Sequence, residues 1–101
     1  ANSVHMMSMP TVMRMFQGIG RVLETNGLFL LYGPFNYGGR FTSESNALFD
    51  EWLKGINPEF GVPDFEAIDA LAAGIGLELV QDFAMPANNR CLLWRRGASQ
   101  V

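Results

Sequence analysis

The chain has 101 residues, enough for one small domain whose core stays modest unless it is well packed or partnered. Hydrophobic residues make up 49% and charged residues 17%, against about 25% charged in an ordinary soluble domain, so part of its outside is expected to be the inside of something larger. A net charge of −3 with 7 basic residues makes no stripe for a phosphate backbone, and no run approaches the roughly 20 apolar residues that cross a bilayer, so neither nucleic acid nor membrane is an expected partner.

Residues Ala1 to Met7 have no basic region, apolar block or cleavage site of a signal peptide. Ser8 or its neighbour then caps a helix with Pro10 in its first turn. Val12, Met15, Phe16, Ile19, Val22 and Leu23 recur at three- and four-residue steps, giving it one apolar stripe. Gly18-Ile19-Gly20 superficially resembles a phosphate-binding glycine motif, but it sits inside a helix rather than between a strand and a helix, and close approach to a neighbouring strand is the better reason for it. Asn26-Gly27 ends the helix, with Gly27 expected to supply the left-handed turn.

Leu28 to Tyr32 are five apolar or aromatic residues in a row, so both faces of this strand ask for cover, as in a central parallel strand. Gly33 and Pro34 stop it. The loop through Arg40 holds Phe35, Asn36 and Tyr37 at a strand's carboxyl end, where open α/β sheets keep their ligands. Thr42 or Ser43 caps a second helix, expected to bury Leu48, Phe49, Trp52, Leu53 and Ile56 and to turn Glu44, Asp50, Glu51 and Lys54 to water. Asn57-Pro58 ends it.

Pro63 and Asp64 open a third helix with Phe65, Ile68, Leu71, Ala72 and Ile75 inward and Gly76 as its stop. Leu77 to Phe83 and Arg90 to Arg95 read as strands joined by a turn over Met85 to Asn89, and residues Gly97 to Val101 as a tail. Cys91 lies in the last strand-like run, cannot form an internal disulfide, and fits a buried thiol in a reducing, cytoplasmic compartment. The order is helix, strand, helix, helix, strand, strand. A helix feeding a parallel strand asks for an earlier strand beside it, so the chain reads as the second half of a doubly wound domain.

Several stretches carry a family resemblance. Arg21 to Leu28 looks like the helix-to-strand junction of class I S-adenosylmethionine-dependent methyltransferases, with Thr25-Asn26-Gly27 in place of their Pro-Gly-Gly turn. More specific are Ala-Asn-Ser-Val-His-Met-Met-Ser at Ala1 to Ser8, Tyr-Gly-Pro-Phe-Asn-Tyr-Gly-Gly-Arg-Phe-Thr at Tyr32 to Thr42, Ser-Asn-x-x-Phe-Asp at Ser45 to Asp50, and Met-Pro-Ala-Asn-Asn at Met85 to Asn89. Together they resemble an uncharacterised methyltransferase-like family, domain of unknown function 938.

The resemblance implies an α/β chain, the C-terminal half of a Rossmann-like class I methyltransferase fold, with the terminal hairpin as its sixth and seventh strands and the last strand beside the central one. It implies a partial domain over residues 1–96 without the N-terminal cofactor-binding half. The expected function is part of an S-adenosylmethionine-dependent methyltransferase acting on a small-molecule acceptor, inactive as this fragment. The alternative is a non-catalytic module that binds a small molecule or self-associates, since an uncovered strand or apolar surface could support a homodimer.

The loop holding Asn2, His5 and Met6 would flank the cofactor, and His5, with a pKa near 6.5, could be a general base. The alternative for His5 is a half-exposed histidine before a helix. Tyr32, Asn36, Tyr37, Arg40 and Asn46 would bind the acceptor, Arg40 through a two-toothed hydrogen bond to a carboxylate or phosphate. Their alternative is a glycine-rich turn with Tyr37 as packing, Arg40 solvated, and Asn46 bonded to the first helical turn. Asn88-Asn89 is a turn signal before it is a site. Trp52 and Trp94 read as core or interface. No carboxylate pair is spaced for glycosidase chemistry, and no Cys/His set is spaced for zinc.

Overall fold

The computed structural model describes residues 4–97. After a 3-10 turn over Val4–Met6 come helix α1 (Met9–Val22), strand β1 (Leu28–Gly33), helices α2 (Glu44–Ile56) and α3 (Phe65–Gly74), and strands β2 (Leu77–Met85) and β3 (Asn89–Arg96). The strands form one sheet in the order β1-β3-β2. The element order and the terminal hairpin are those expected, and β3 lies beside β1 as the resemblance implies.

The register explains which face is core. Phe29 pairs with Trp94 and Leu31 with Leu92 across β1 and β3, which puts these four side chains on one face. Val12 and Phe16 of α1 and Ile68 and Ala72 of α3 close over that face. Phe29 stacks on Trp94 at 5.9 Å, and Phe16 meets both edge-on. Such pairs contribute about 0.5–1.5 kcal/mol each beyond their buried area. The indole of Trp94 is fully buried and donates to Asp69 Oδ1 at 2.9 Å, so its polar edge is satisfied.

Four local expectations need correction. Among the described residues β1 pairs with β3 alone, antiparallel, and Leu28 and Leu30 on its second face are exposed. A run of apolar residues shows that a strand prefers cover on both faces, not that this chain provides it. The left-handed residue after α1 is Asn26 (φ 65°) rather than Gly27, whose place is fixed by space: a Cβ there would lie 2.7 Å from Leu23 Cδ1. Gly20 faces Ile75 at the end of α3, not a strand, while Gly18 has open space around it. Val22, at the end of the α1 stripe, is 78% exposed because the helix finishes there, beyond the core.

The largest departure is α2. Leu48, Trp52 and Ile56, expected inside, are exposed at 59%, 60% and 53%, while Asn46 and Asp50 are buried beside Leu53. The polar side is inward because a loop needs holding. Asp50 Oδ1 accepts from the Val62 backbone N–H at 2.8 Å, and Lys54 on the next turn pairs with its other oxygen. The Ser43 cap is as expected, its hydroxyl accepting from Asn46 N–H at 3.1 Å.

Candidate functional site

Three segments meet at the carboxyl end of β1. The first is the turn Val4–Met6, where Val4 enters the core and His5 is left half-buried. The second is the start of α2. The third is the hairpin tip, Pro86–Asn88, where Ala87 and Asn88 both take left-handed angles, φ 61° and 60°. The tip is tied down by two long hydrogen bonds, Asn88 Nδ2 to Ser45 Oγ and Asn89 Nδ2 to the Tyr32 hydroxyl, each 3.3 Å.

The segments line an open cavity of about 380 Å³ that includes His5, Tyr32, Asn46, Phe49, Asn88 and Asn89 in its lining. One wall is aromatic. The rings of His5 and Phe49 lie 5.4 Å apart, and Trp52 stacks behind Phe49 at 5.9 Å. Burial lowers the His5 pKa below its usual 6.5, so the imidazole is neutral at pH 7 and able to take a proton.

The position of His5 is set from outside the cavity. Its carbonyl accepts from Gly61 N–H at 3.0 Å, and the next residue, Val62, is the one bonded to Asp50. Asn36 holds the same segment from the other side: its side chain donates to Val62 O, its N–H to Pro63 O, and its carbonyl accepts from Phe65 N–H. Residues 61–65 are therefore a post between α2 and the loop after β1, and His5 leans on it.

A second cavity, of about 460 Å³, lies across the hairpin tip and shares Asn88 and Asn89 with the first. Tyr37 and Arg90 stand in its lining. The Tyr37 hydroxyl donates to Asp82 Oδ2 at 2.7 Å, and Arg90 Nε donates to Asp82 Oδ1 at 2.8 Å with its guanidinium over the Tyr37 ring. Burial first, then the bond to Asp82, hold the Tyr37 phenol well above its ordinary pKa. This cluster joins the loop after β1 to the hairpin.

Of the residues singled out from sequence, His5, Tyr32 and Asn46 share the first cavity, and Tyr37 lines the second. Asn36 is buried in the post, and its Oδ1 has no hydrogen-bond partner among the described residues. Arg40 is exposed on a two-residue bridge with Tyr37, and Met6 is exposed; neither lines the two cavities. Asn2 lies outside the described residues. Phe49, expected in the core, is a cavity wall, and Asn88 and Asn89 are cavity residues as well as turn residues. Their sequence signal was the pair of asparagines at a hairpin tip; Phe49 had none, because an apolar residue on a helix reads as core.

Among the described residues no group of three His, Cys, Asp or Glu side chains could hold a metal ion, and no helix is long and apolar enough to cross a membrane.

The family described as protein of unknown function (DUF938) matches residues 1–96. The fold is similar to an O-methyltransferase family 2 protein from Planctomyces limnophilus, solved in complex with apigenin, at 18% identity and a TM-score of 0.82 over 92% of this chain and 28% of that one. It is similar also to mitomycin 7-O-methyltransferase MmcR, at 17% identity and 0.78 over 93% of this chain and 27% of that one. The pyocyanin biosynthetic protein PhzM matches at 12% identity and 0.69 over 90% and 27%. The chain thus has the α/β fold of the C-terminal half of a Rossmann-like class I methyltransferase, and spans little more than a quarter of the length of these structures.

Proposed function

The chain belongs to the DUF938 family, and from that membership and its fold we propose that it forms the acceptor-binding side of an S-adenosylmethionine-dependent methyltransferase acting on a small molecule. The carrying observation is the cavity at the carboxyl end of β1, where His5, Tyr32 and Asn46 meet although 41 positions separate the first from the last. Residues 1–96 are then one part of a methyltransferase-like domain whose cofactor-binding part lies outside them. Fold analogy to O-methyltransferases makes a hydroxyl oxygen the favoured acceptor atom.

The residues present fit such a cofactor on its sulfonium side. Among the described residues the cavity lining carries no Lys or Arg that would repel a positively charged sulfur beside it. His5 and Met6, on the turn that enters α1, are the residues of this chain that would stand beside it. When bound, S-adenosylmethionine supplies an electrophilic methyl group. This chain's share is to hold the acceptor against Phe49, to exclude water there, and to take the proton released from the acceptor hydroxyl onto the neutral imidazole of His5. A single partly buried thiol, Cys91, suits a reducing cytoplasmic setting.

Calorimetric titration of S-adenosylhomocysteine tests the reading, with the chain alone and joined to the cofactor-binding half of another family member. The expected result is no heat for the chain alone and about micromolar binding for the joined form. Tight one-to-one binding by the 101 residues alone would put the cofactor site elsewhere. Absence of binding in both would leave the non-catalytic small-molecule-binding or self-associating module as the reading.

A further inference from the structure

We propose that the ligand of the cavity beside His5 is an uncharged molecule with a flat ring, and that Phe49 and Tyr32 select it. The proposal rests on the reading of this cavity as the acceptor site. Among the described residues its lining is made of aromatic, amide, hydroxyl and small apolar residues, with no Lys, Arg, Asp or Glu. A charged ligand would lose its water there without meeting an opposite charge, which is costly even in a partly closed site. A neutral ring loses nothing of that kind and gains the aromatic wall.

The geometry favours a flat shape. The rings of His5 and Phe49 lie 5.4 Å apart in the lining, with Trp52 5.9 Å from Phe49, so a ligand meets aromatic surface, against which a flat ring packs best. On the polar side, the Tyr32 hydroxyl accepts from Asn89 and donates to no described residue, which leaves its proton for an oxygen on the ligand. The amides of Asn46, Asn88 and Asn89 offer both donors and acceptors. Asn46 gives one of its two N–H bonds to Thr42 Oγ1, and Asn88 and Asn89 give theirs to Ser45 and to Tyr32 and Pro86 O.

Two charged features come near and neither is available. The amino end of α2 would attract an anion, but Asn46 N–H is already bonded to Ser43, and Glu44 stands in the first turn with a charge that opposes one. Arg90, in the neighbouring cavity, is matched by Asp82 at 2.8 Å.

The test is binding to three probes of similar size, 4-methylphenol, 4-hydroxybenzoate and tyramine, followed by NMR on the side-chain amides of Asn46, Asn88 and Asn89. The neutral phenol is expected to shift these signals at concentrations about tenfold or more below those needed by either charged probe. Tyr32→Phe should weaken it several-fold with the fold intact, and Phe49→Leu should weaken it while keeping apolar bulk. Equal or tighter binding of the benzoate would overturn the proposal and assign the amino end of α2 as an anion site. Tighter binding of tyramine, or no shift with any probe, would overturn it as well. Because the readout is binding and not methyl transfer, the enzyme reading can fail while this one stands. Conversely, transfer to a charged acceptor would sink this one alone.

Discussion

Gly61→Ala should destabilise the chain by about 0.5–2.6 kcal/mol, although Gly61 is neither in the core nor at a left-handed position. The reason is space. A Cβ on Gly61 would lie 2.6 Å from Asp50 Oδ1 and 3.0 Å from Lys54 Nζ. The lysine end is flexible and can move. The carboxylate is 6% exposed and cannot move without giving up Val62 N–H, a bond of the charged kind that contributes about 1.5–3 kcal/mol. Reduced freedom of the unfolded chain returns about 0.4–1 kcal/mol of this, which leaves the stated range. In a domain this small that lowers the melting temperature by roughly 5–15 °C, readable by circular dichroism. Gly55→Ala is the matched control: nothing lies within 4 Å of its Cβ and it sits in α2, so it should stabilise by up to about 1 kcal/mol. The signs must differ. A Gly61→Ala melting temperature at or above that of the parent, or equal losses in both variants, would refute the reasoning that Asp50 pins the 61–65 post. Because Gly61 N–H also holds the His5 carbonyl, the same variant should broaden or shift the His5 ring signals in NMR, and Gly55→Ala should not.

Tyr37→Phe removes one of the two side chains bonded to Asp82 and should cost about 1 kcal/mol in urea unfolding, with Arg90 keeping the other oxygen satisfied; a neutral result would mean that the bond is not formed in solution. Ala87→Gly should gain about 1 kcal/mol, since alanine at φ 61° pays for a left-handed angle that glycine does not; a loss would show that the tip is held differently. His5 gives a pH signature. Its folded pKa lies below the unfolded 6.5, so the unfolded chain binds more protons in the interval below 6.5, and stability should fall there as pH drops; His5→Gln should flatten that limb, and an unchanged slope would exclude the assignment. If His5 is also the base, methyl transfer by the completed domain should decline over the same interval.

Much of the helical and strand content is readable from residues taken one element at a time. Pro10 and the Val12–Phe16 spacing place α1, the Ser43 cap places α2, and Pro63, Asp64 and Gly76 bracket α3. These signals are local, set by capping, ring geometry and helical period. The candidate site was sought where α/β sheets keep ligands, at the carboxyl end of a strand, which pointed to Tyr32, Asn36, Tyr37, Arg40 and Asn46; of these Tyr32 and Asn46 line the first cavity and Tyr37 the second. What local signals cannot say is which way a helix faces. In α2 the apolar spacing pointed Leu48, Trp52 and Ile56 inward, yet the buried groups include Asn46 and Asp50. A carboxylate that accepts a backbone N–H twelve residues away stabilises its own burial, and nothing in the spacing of α2 announces that partner.

By itself, then, the sequence determined the order of elements, the terminal hairpin, the buried stripe of α1 and a family likeness, because each depends on neighbours in the chain or on a run of matching residues. Tertiary structure alone decided that α2 turns Asn46 and Asp50 inward, that Asp50 and Asn36 clamp one segment, and that His5, Phe49 and Asn89 face a common cavity. Those contacts join residues twelve or more positions apart. Their energies depend on orientation across space, and a single sequence holds no record of orientation.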